Sequence, residues 1–341
     1  MKIDNFDLDK NILIVAEIGN NHEGSFVLAK KMIQLAAESG AHAVKFQTIV
    51  PEKLVSIDQK ERIRQLRSYQ FTYKEFEKLN KVAVNERVLF LSTPFDIESA
   101  VFLRDLVPAF KISSGDNNFF PLMEVIAKTG KPIILSTGLA EISDIIKAKN
   151  FIFNIWRRLK FKQELAVLHC VTSYPVKPGE ANLLAIKTLK DRIDLTVGYS
   201  DHTLGIDAAV LSVALGARII EKHFTIDKNY SDFRDHKIAA DPREFKLMVK
   251  KVNEAAKMMG NGNKIRQKSE RQIINMVRRS IAAKRNLRRG KILMSDDITW
   301  VRPSRGLAIG REAEIIGGVL LRPIKKGELI LPRDVRLEKH K

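Results

Sequence analysis

Short apolar runs alternate with amphipathic stretches along roughly the first three quarters of the chain. Eight such runs recur, at residues 12–16, 43–46, 88–91, 109–112, 132–135, 165–168, 195–197 and 219–220. Each run is followed by apolar residues at helical spacing, and these helices are predicted to begin near Ser25, Thr72, Ile97, Pro121, Glu141, Asn182, Gly205 and Asp241. Eight strand–helix units within about 260 residues are typical of an α/β protein with a (β/α)8 TIM barrel.

A doubly wound sheet would also alternate strands with helices. Such a sheet normally carries a glycine-rich phosphate-binding loop directly after its first strand. Gly19 and Gly24 are too far apart to form that loop, so the barrel is favoured.

The pattern changes after Met259, where Gly-Asn-Gly-Asn opens a polar and basic connector. Short β segments follow at residues 280–283, 292–293, 317–321 and 328–330, separated by Arg-Arg-Gly and Lys-Lys-Gly turns. We therefore predict a barrel domain at residues 1–262, a linker at 263–279 and a small all-β module at 280–341. No internal repeat is expected.

The composition is that of a folded globular protein, with 45% hydrophobic and 29% charged residues. An acidic start and the lack of long apolar runs predict a cytoplasmic protein without a membrane segment. The net charge of +19 is concentrated in the tail, since basic residues outnumber acidic ones by 21 to 8 from Lys264 onward. Few aromatic residues accompany these charges and no zinc-finger spacing occurs, so we expect no nucleic-acid partner. Cys170 is expected to be buried.

Polar residues follow nearly every predicted strand, and barrel enzymes bind their substrates at these carboxyl ends. Two lysines and four hydroxyl residues lie there: Lys45, Thr93, Lys111, Ser114, Ser136 and Ser200. Ammonium groups together with hydroxyl donors suit a ligand that carries both a phosphate and a carboxylate. We therefore predict that this set binds phosphoenolpyruvate.

His202 and His223 follow the seventh and eighth strands, which are neighbours in a closed barrel. Two neutral imidazoles placed in this way suit a divalent metal with open coordination positions, which can polarise a substrate carbonyl. His42 and His169 are interpreted instead as hydrogen-bonded core residues. Glu17, directly after the first strand, is the predicted general acid or base.

Six segments occur in the order found in one known family: EIGNNHEG at 17–24, VKFQT at 44–48, FKISSGD at 110–116, LSTG at 135–138, YSDHT at 199–203 and EKHFT at 221–225. On these motifs the chain resembles the sialic acid synthases, including the legionaminic and pseudaminic acid synthases. The tail resembles the antifreeze-like SAF domain of that family, which has a β-clip fold.

The resemblance implies a transferase that condenses phosphoenolpyruvate with an N-acetylmannosamine-like aldehyde, giving a nine-carbon 2-keto sugar acid and phosphate. It assigns His202 and His223 to Mn²⁺ or Mg²⁺, and Glu17 to proton transfer. The predicted acceptor-binding residues are Gln47, Asp116, Tyr174 and Asp235. The resemblance also implies a domain-swapped homodimer in which Arg302 of the SAF domain enters the partner's barrel.

The chain departs from the family pattern where the acceptor would bind. FRDH at 233–236 replaces the common Gly-Pro-Asp-His, Asp116 stands where Glu is common, and residues 49–73 are expected to form a long loop. A 2,4-diacetamido-6-deoxy hexose, giving legionaminic or pseudaminic acid, is therefore an alternative acceptor. A Schiff-base aldolase using Lys111 or Lys45 and a nucleic-acid-associated protein are alternatives from other classes.

Overall fold

The computed structural model of the protein describes residues 1–337, which divide into two compact units between Gly260 and Asn261. The strands of the first unit are β1 (Lys2–Ile3), β2 (Phe6–Asp7), β3 (Leu13–Gly19), β4 (Ala43–Thr48), β5 (Leu89–Pro94), β6 (Phe110–Ile112), β7 (Ile133–Ser136), β8 (Leu165–Cys170), β9 (Thr196–Asp201) and β10 (Ile219–His223). Its helices are α1 (Phe26–Glu38), α2 (Pro51–Leu54), α3 (Lys60–Tyr69), α4 (Tyr73–Asn85), α5 (Ile97–Leu103), α6 (Phe120–Lys128), α7 (Ile142–Leu159), α8 (Ala185–Ile193), α9 (Asp207–Ala214), α10 (Arg234–Ile238) and α11 (Pro242–Met259). No helix in the described part of the chain combines the length and the apolar character needed to cross a membrane.

Strands β3 to β10 form one parallel sheet in the order β5-β4-β3-β10-β9-β8-β7-β6, and β5 packs beside β6 to close it. The predicted TIM barrel is therefore confirmed. Most strands continue beyond the predicted carboxyl end, and β10 ends at His223 rather than at residue 220. The extended carboxyl ends carry polar residues such as Gln47, Ser200 and Glu221, which line a cavity, so an apolar run underestimates the strand length.

The interior of the barrel is apolar toward the amino ends of its strands. Small and branched side chains fill it, including Leu13, Val15, Ala43, Leu91, Ala109, Ile134, Ala166, Leu168 and Ile219. The hairpin β1–β2, which the sequence analysis did not anticipate, closes this end because Met1, Ile3 and Leu8 belong to the same buried cluster. The carboxyl ends of the strands are left as the open side of the barrel.

Several helices begin at the predicted capping residues. Ser25, Thr72 and Asp241 each accept a hydrogen bond from a backbone N–H in the first turn of α1, α4 and α11, which satisfies a donor that the helix itself leaves unpaired. The expectation of a long loop at residues 49–73 was wrong, since this segment contains α2 and α3. Leu66 anchors α3 through its buried side chain.

The second unit contains α12 (Lys268–Val277) and the strands β11 (Ser280–Ala283), β12 (Ile298–Val301), β13 (Val319–Leu320) and β14 (Val335–Arg336). Strand β11 pairs antiparallel with β12, and β13 pairs antiparallel with β14. Part of the predicted linker is helical, because Gln267 and Glu270 form a capping box that starts α12. The core of this unit is a separate apolar cluster that includes Ile281, Leu287, Leu293, Leu320, Ile324 and Ile330.

An internal repeat is present in the second unit, so the prediction of no repeat was wrong. Residues 283–298 (AKRNLRRGKILMSDDI) and 320–335 (LLRPIKKGELILPRDV) follow one pattern. The Arg285 Nε donates to Asp297 at 2.9 Å, and the Nε of Arg322 donates to Asp334 at 2.7 Å. Reciprocal backbone hydrogen bonds of 2.8 and 3.0 Å join Leu287 and Ile324, which occupy equivalent positions.

The two halves of this repeat are therefore related by an approximate twofold axis. Further backbone bonds obey the same relation, since Gly290 donates to Leu320 and Gly327 donates to Ala283, both at 2.8 Å. The repeat escapes notice in the sequence because most of its equivalent positions differ, with Leu exchanging for Ile in the core. Apolar residues of similar volume fill the same space, so the fold persists when identity does not.

Candidate active site

A cavity of about 240 Å³ lies at the carboxyl ends of the barrel strands. All eight strands, or the loops directly after them, contribute polar side chains to its wall. The contributing residues lie two apart within a strand, because a strand sends alternate side chains to the same face. Three strands show this spacing: Lys45 and Gln47 of β4, Ser200 of β9 and His202 directly after it, and Glu221 and His223 of β10.

Lys45 lies between two carboxylates on the floor of the cavity. Its Nζ is 2.8 Å from Oε2 of Glu17 and 3.6 Å from Oε1 of Glu221. It also donates a hydrogen bond of 3.3 Å to the Thr93 hydroxyl. The amide of Gln47 donates to the second oxygen of Glu17 at 3.1 Å. Both oxygens of Glu17 are thus contacted from β4.

Glu221 connects this pair to a second lysine. Its Oε1 lies 3.8 Å from the Lys111 Nζ and accepts a 3.0 Å hydrogen bond from the Ser200 hydroxyl. Lys111 in turn donates to the Ser136 hydroxyl at 2.6 Å. The floor is therefore a buried network of two ammonium groups and two carboxylates, in which each charge has an opposite charge beside it.

The pKa values of Glu17 and Glu221 are shifted in opposite directions. Burial raises the pKa of Glu17, although Lys45 opposes this effect. Burial would also raise the pKa of Glu221, but Lys111 and Lys45 together hold it below its usual value. Burial lowers the pKa of Lys111, whereas at Lys45 the two carboxylates outweigh burial and raise the pKa. Such a divergence suits one carboxyl for proton transfer and leaves the other as a fixed anion.

His202 and His223 lie at the carboxyl ends of the neighbouring strands β9 and β10, with ring centroids 5.4 Å apart. The Nδ1 of His202 lies 2.9 Å from the Val171 carbonyl oxygen, which leaves its other nitrogen for a ligand. The Nδ1 of His223 is buried and has no hydrogen-bond partner among residues 1–337. Burial lowers the pKa of His223 well below its usual value, and the neutral imidazole is the form that binds metals.

The histidine pair fits a divalent metal that takes two ligands from the protein. Within the described residues, no group of three or more His, Cys, Asp or Glu side chains is arranged around a metal position. The remaining ligands of a metal at His202 and His223 would therefore come from solvent or substrate. That is the coordination expected of a catalytic site and not of a structural one.

Helix α10 and the loop after β8 form the wall above the histidines. The Tyr174 ring lies 4.3 Å from the His202 ring, and the Arg234 guanidinium lies 4.8 Å from the Tyr174 ring centroid. The neighbouring Asp235 is buried, and its Oδ1 lies 3.3 Å from Nε of Arg234. Burial raises the pKa of Asp235. A carboxylate in a cavity wall has several lone pairs, so Asp235 can accept a hydrogen bond from a ligand while it stays paired with Arg234.

Apolar residues beyond the strand ends line the outer part of the cavity. They come from the segments after β4, β5 and β10, and they are Ile49, Leu54, Leu66, Phe95 and Phe233. The cavity therefore combines a charged floor with partly apolar walls.

The structure brings most of the predicted site residues together. Those that line the cavity are Glu17, Lys45, Gln47, Thr93, Lys111, Ser114, Ser136, Tyr174, Ser200, His202, His223 and Asp235. Asp116 is not among the lining residues, because the turn after β6 directs its carboxylate to the Ser113 hydroxyl at 2.5 Å. Arg302 belongs to the second unit, directly after β12, and its side chain is exposed. The roles assigned to these two residues stay predictions.

Sequence reasoning missed Glu221, Arg62 and Leu66, all of which line the cavity. A signal for Glu221 existed, because it lies two residues before His223 and must share its face of the strand. Arg62 and Leu66 carried no such signal, since the segment that contains them was expected to be a loop. His42 and His169 hydrogen-bond to the backbone, His42 Nδ1 accepting from Ile14 N–H at 3.1 Å and His169 Nε2 lying 2.9 Å from the Ala181 carbonyl oxygen.

Two family models match the chain. The NeuB family matches residues 32–264, which is more than half of the chain, and the SAF domain matches residues 278–336. The chain belongs to the NeuB family of sialic acid synthases. The resemblance drawn from the six motifs is therefore confirmed, as is the SAF domain at the carboxyl end.

Relatives in the sialic acid synthase family match this chain over nearly its whole length. The N,N'-diacetyllegionaminic acid synthase of Campylobacter jejuni is 39% identical over 94% of this chain and 99% of its own length. A pseudaminic acid synthase of the same species is 35% identical over 98% of this chain and 100% of its own. The crystal structure of an N-acetylneuraminic acid synthetase from Leptospira borgpetersenii aligns with a TM-score of 0.76 at 36% identity, covering 80% of this chain and 94% of that one.

Proposed function

We propose that this enzyme condenses phosphoenolpyruvate with an N-acetylated amino-sugar aldehyde, giving a nine-carbon 2-keto sugar acid and phosphate. The observation that carries the proposal is the buried network of Lys45, Glu17, Glu221 and Lys111 on the floor of the barrel cavity. The names of the two Campylobacter relatives support the class of product.

The lysines and hydroxyls of the floor would bind phosphoenolpyruvate. Lys45 and Lys111 supply charge for its phosphate and carboxylate, while Ser136 and Ser200 supply hydrogen bonds. Lys111 already lies 2.6 Å from the Ser136 hydroxyl, so both donors can reach one anion. Donors held in place before binding stabilise the charge that develops on a leaving phosphate without further rearrangement.

His202 and His223 would hold Mn²⁺ or Mg²⁺ in this proposal. The supporting observations are the 5.4 Å between their rings and the unpartnered, buried Nδ1 of His223. A bound metal would supply Lewis-acid polarisation of the acceptor's aldehyde oxygen. Tyr174, Gln47 and Asp235 lie around the same space and would orient the acceptor.

Glu17 is the proposed proton-transfer group. When C3 of phosphoenolpyruvate bonds to the aldehyde carbon, an alkoxide forms at the aldehyde oxygen and a positive charge develops at C2. Water then adds to C2, and the Glu17 carboxylate, whose pKa burial raises, takes one proton from it and passes that proton to the alkoxide. The second water proton passes to the phosphate as its C–O bond to C2 breaks, which leaves the 2-keto group. Glu221, kept ionised by Lys111 and Lys45, stabilises the positive charge that develops at C2.

The apolar part of the cavity bears on the acceptor. Ile49, Leu54, Leu66, Phe95 and Phe233 suit methyl groups of acetamido and 6-deoxy substituents better than hydroxyl groups. We therefore propose a 2,4-diacetamido-6-deoxy hexose as the preferred acceptor, giving an acid of the legionaminic or pseudaminic type. N-acetylmannosamine is the competing acceptor.

Phosphate release from phosphoenolpyruvate tests this function directly. Turnover is measured with the diacetamido hexose, N-acetylmannosamine and no acceptor, each with Mn²⁺, with Mg²⁺ and with a chelator. We expect release that requires both acceptor and metal, with the diacetamido hexose giving the higher kcat/KM. Release that needs neither acceptor nor metal would contradict the proposal.

The family resemblance also supplies a proposal for assembly, a cytoplasmic domain-swapped homodimer completed by Arg302. Complementation tests it. Lys45→Met and Arg302→Ala homodimers should each be inactive, whereas mixed dimers should regain activity, because one barrel then has both an intact floor and an arginine from its partner. Absence of activity in mixed dimers, with dimer exchange verified by mass, would rule out the swap.

A further inference from the structure

The loop after β3 contains a run of polar residues, Asn20 to Gly24, that the proposed chemistry leaves largely unused. Asn20 contacts the site directly, since it lines the cavity and donates to Gln47 at 3.0 Å. The next residues contact other loops of the barrel mouth. Asn21, for example, donates to the Phe224 carbonyl oxygen at 2.9 Å in the buried interior.

Glu23 binds the segment that follows β10. Its Oε1 accepts a 3.0 Å hydrogen bond from Nε2 of His236 and a second bond from the Ser231 hydroxyl. The Nδ1 of His236 lies 2.7 Å from the Thr225 hydroxyl. The Glu23 carboxylate therefore connects Ser231 to His236, and the His236 imidazole connects the end of this segment to Thr225 at its start.

The burial of this contact makes it structurally strong. His236 is 0% exposed and the Glu23 side chain is 26% exposed, so water competes little for the hydrogen bond. Helix α10 has five residues, too few to be stable without tertiary contacts. Its position therefore depends on anchors such as His236.

The same helix carries two residues that face the cavity. Asp235, whose Oδ1 lies 3.3 Å from Nε of Arg234, directly precedes His236, and Arg234 lies against Tyr174. Because adjacent residues of a short helix move together, a shift of His236 would displace the Asp235 carboxylate. The lysines that would bind phosphoenolpyruvate are on β4 and β6 and do not depend on this anchor.

The loop also holds α3 on the other side of the mouth. His22 stacks on Phe71 with 4.2 Å between ring centroids. A side chain at Gly24 would collide with the Ser68 carbonyl oxygen at the end of α3. Helix α3 contributes Arg62 and Leu66 to the cavity. The loop after β3 thus contacts both elements that form the outer wall.

We propose that Glu23 and His236 are positioning residues that fix α10, and with it Asp235 and Arg234, for binding of the acceptor sugar. Neither residue is among those that line the active-site cavity. This inference rests on the proposed function only in naming the acceptor. The anchoring of α10 by Glu23 follows from the contacts themselves.

Steady-state kinetics of Glu23→Ala and Glu23→Gln test the proposal. We expect Glu23→Ala to raise the acceptor KM about tenfold or more, since a buried charged hydrogen bond is lost, with the phosphoenolpyruvate KM changed less than about twofold. Glu23→Gln keeps an oxygen that accepts from His236 and should restore much of the acceptor KM. Asp232→Asn, which removes an exposed carboxylate from the same segment, is the matched control and should behave like the wild type.

Hydrogen exchange provides a second measurement that needs no substrate. Backbone amides of residues 231–239 should exchange faster in Glu23→Ala than in the wild type or in Asp232→Asn, while β4 and β6 stay unchanged. Equal rises in both KM values, or unchanged exchange at 231–239, would overturn the proposal. If the wild type condenses no acceptor, the proposed function fails, and the exchange measurement still decides whether Glu23 anchors α10.

Discussion

The Lys45 ammonium and the Glu17 carboxylate form a buried ion pair, with 2.8 Å between Nζ and Oε2. Removing one member of such a pair leaves an uncompensated charge in the interior. We expect Lys45→Met to lower the free energy of unfolding by about 3 kcal/mol, measured by urea denaturation. The double variant Lys45→Met/Glu17→Gln should recover part of that loss. Additive losses would show that the two charges are not coupled.

We expect the Glu221 carboxylate to be essential for activity. We expect Glu221→Gln to lower kcat by about a hundredfold or more, because the amide cannot stabilise a positive centre at C2 or hold both lysines. The variant should remain folded, since glutamine can still accept from Ser200. Glu77→Gln, on the exposed face of α4, is the control. Activity of Glu221→Gln near that of the control would exclude the proposed role.

The proposed metal site at His202 and His223 can be tested by measuring Mn²⁺ binding without measuring turnover. Titration calorimetry with Mn²⁺ should show one site in the wild type and none in either His202→Ala or His223→Ala. Either substitution leaves the metal with a single protein ligand, which is not enough to bind it. His42→Asn should keep Mn²⁺ affinity, since His42 contacts the backbone at the opposite end of the barrel. Unchanged Mn²⁺ affinity in both alanine variants would place the metal elsewhere.

The carboxylates of the repeat predict acid sensitivity in the second unit. Burial alone would raise the pKa of Asp297, but hydrogen bonds from Arg285, Met294 N–H and Lys291 outweigh it and hold the pKa below 3.8. A depressed folded-state pKa means that the carboxylate stabilises the fold above about pH 4, and that this stabilisation is lost as pH falls through the folded value.

Urea unfolding between pH 7 and pH 2 measures this effect. Asp297→Asn should lower the free energy of unfolding of the second unit at pH 7 by about 2 kcal/mol. The difference from the wild type should shrink as the pH is lowered. Asp296→Asn removes the neighbouring exposed carboxylate and should have little effect at either pH. A constant difference between Asp297→Asn and the wild type across the range would contradict the assignment.

A lowered lysine pKa is also a property of Schiff-base enzymes, and burial lowers the pKa of Lys111. In the proposed mechanism Lys111 binds an anion and forms no covalent bond. We expect borohydride treatment in the presence of pyruvate to leave the mass of the protein unchanged. A reduced adduct on Lys111 or Lys45, together with activity that survives chelation, would instead support the aldolase.

The barrel could be predicted from the sequence because each of its strands contains an apolar run that is followed by polar residues. The strand ends could not, since Ser200 and His202 face a polar cavity and therefore break the apolar pattern. Glu221 was missed for a related reason. It lies between Ile220 and Lys222 at the polar end of β10, where the apolar run has already stopped.

Elements stabilised by distant contacts were the hardest to predict. Helix α3 has a strongly polar sequence and depends on the burial of Leu66. The hairpin β1–β2 consists of two-residue strands, too short to give a periodic signal, and is held by the barrel interior. The repeat of the second unit is visible in its backbone hydrogen bonds, whereas its two sequences share little beyond one arginine, one glycine and one aspartate.

The twofold relation in the second unit restricts which of its residues can change independently. Backbone groups of each half form hydrogen bonds with the other half, so a change in the backbone of residues 283–298 would also disturb residues 320–335. Within the described chain, residues 302–305, which include Arg302, hydrogen-bond to Asn275 and Ser280 and to neither half of the repeat. A directed library confined to residues 302–305 could therefore change the surroundings of Arg302 while the duplicated framework stays intact.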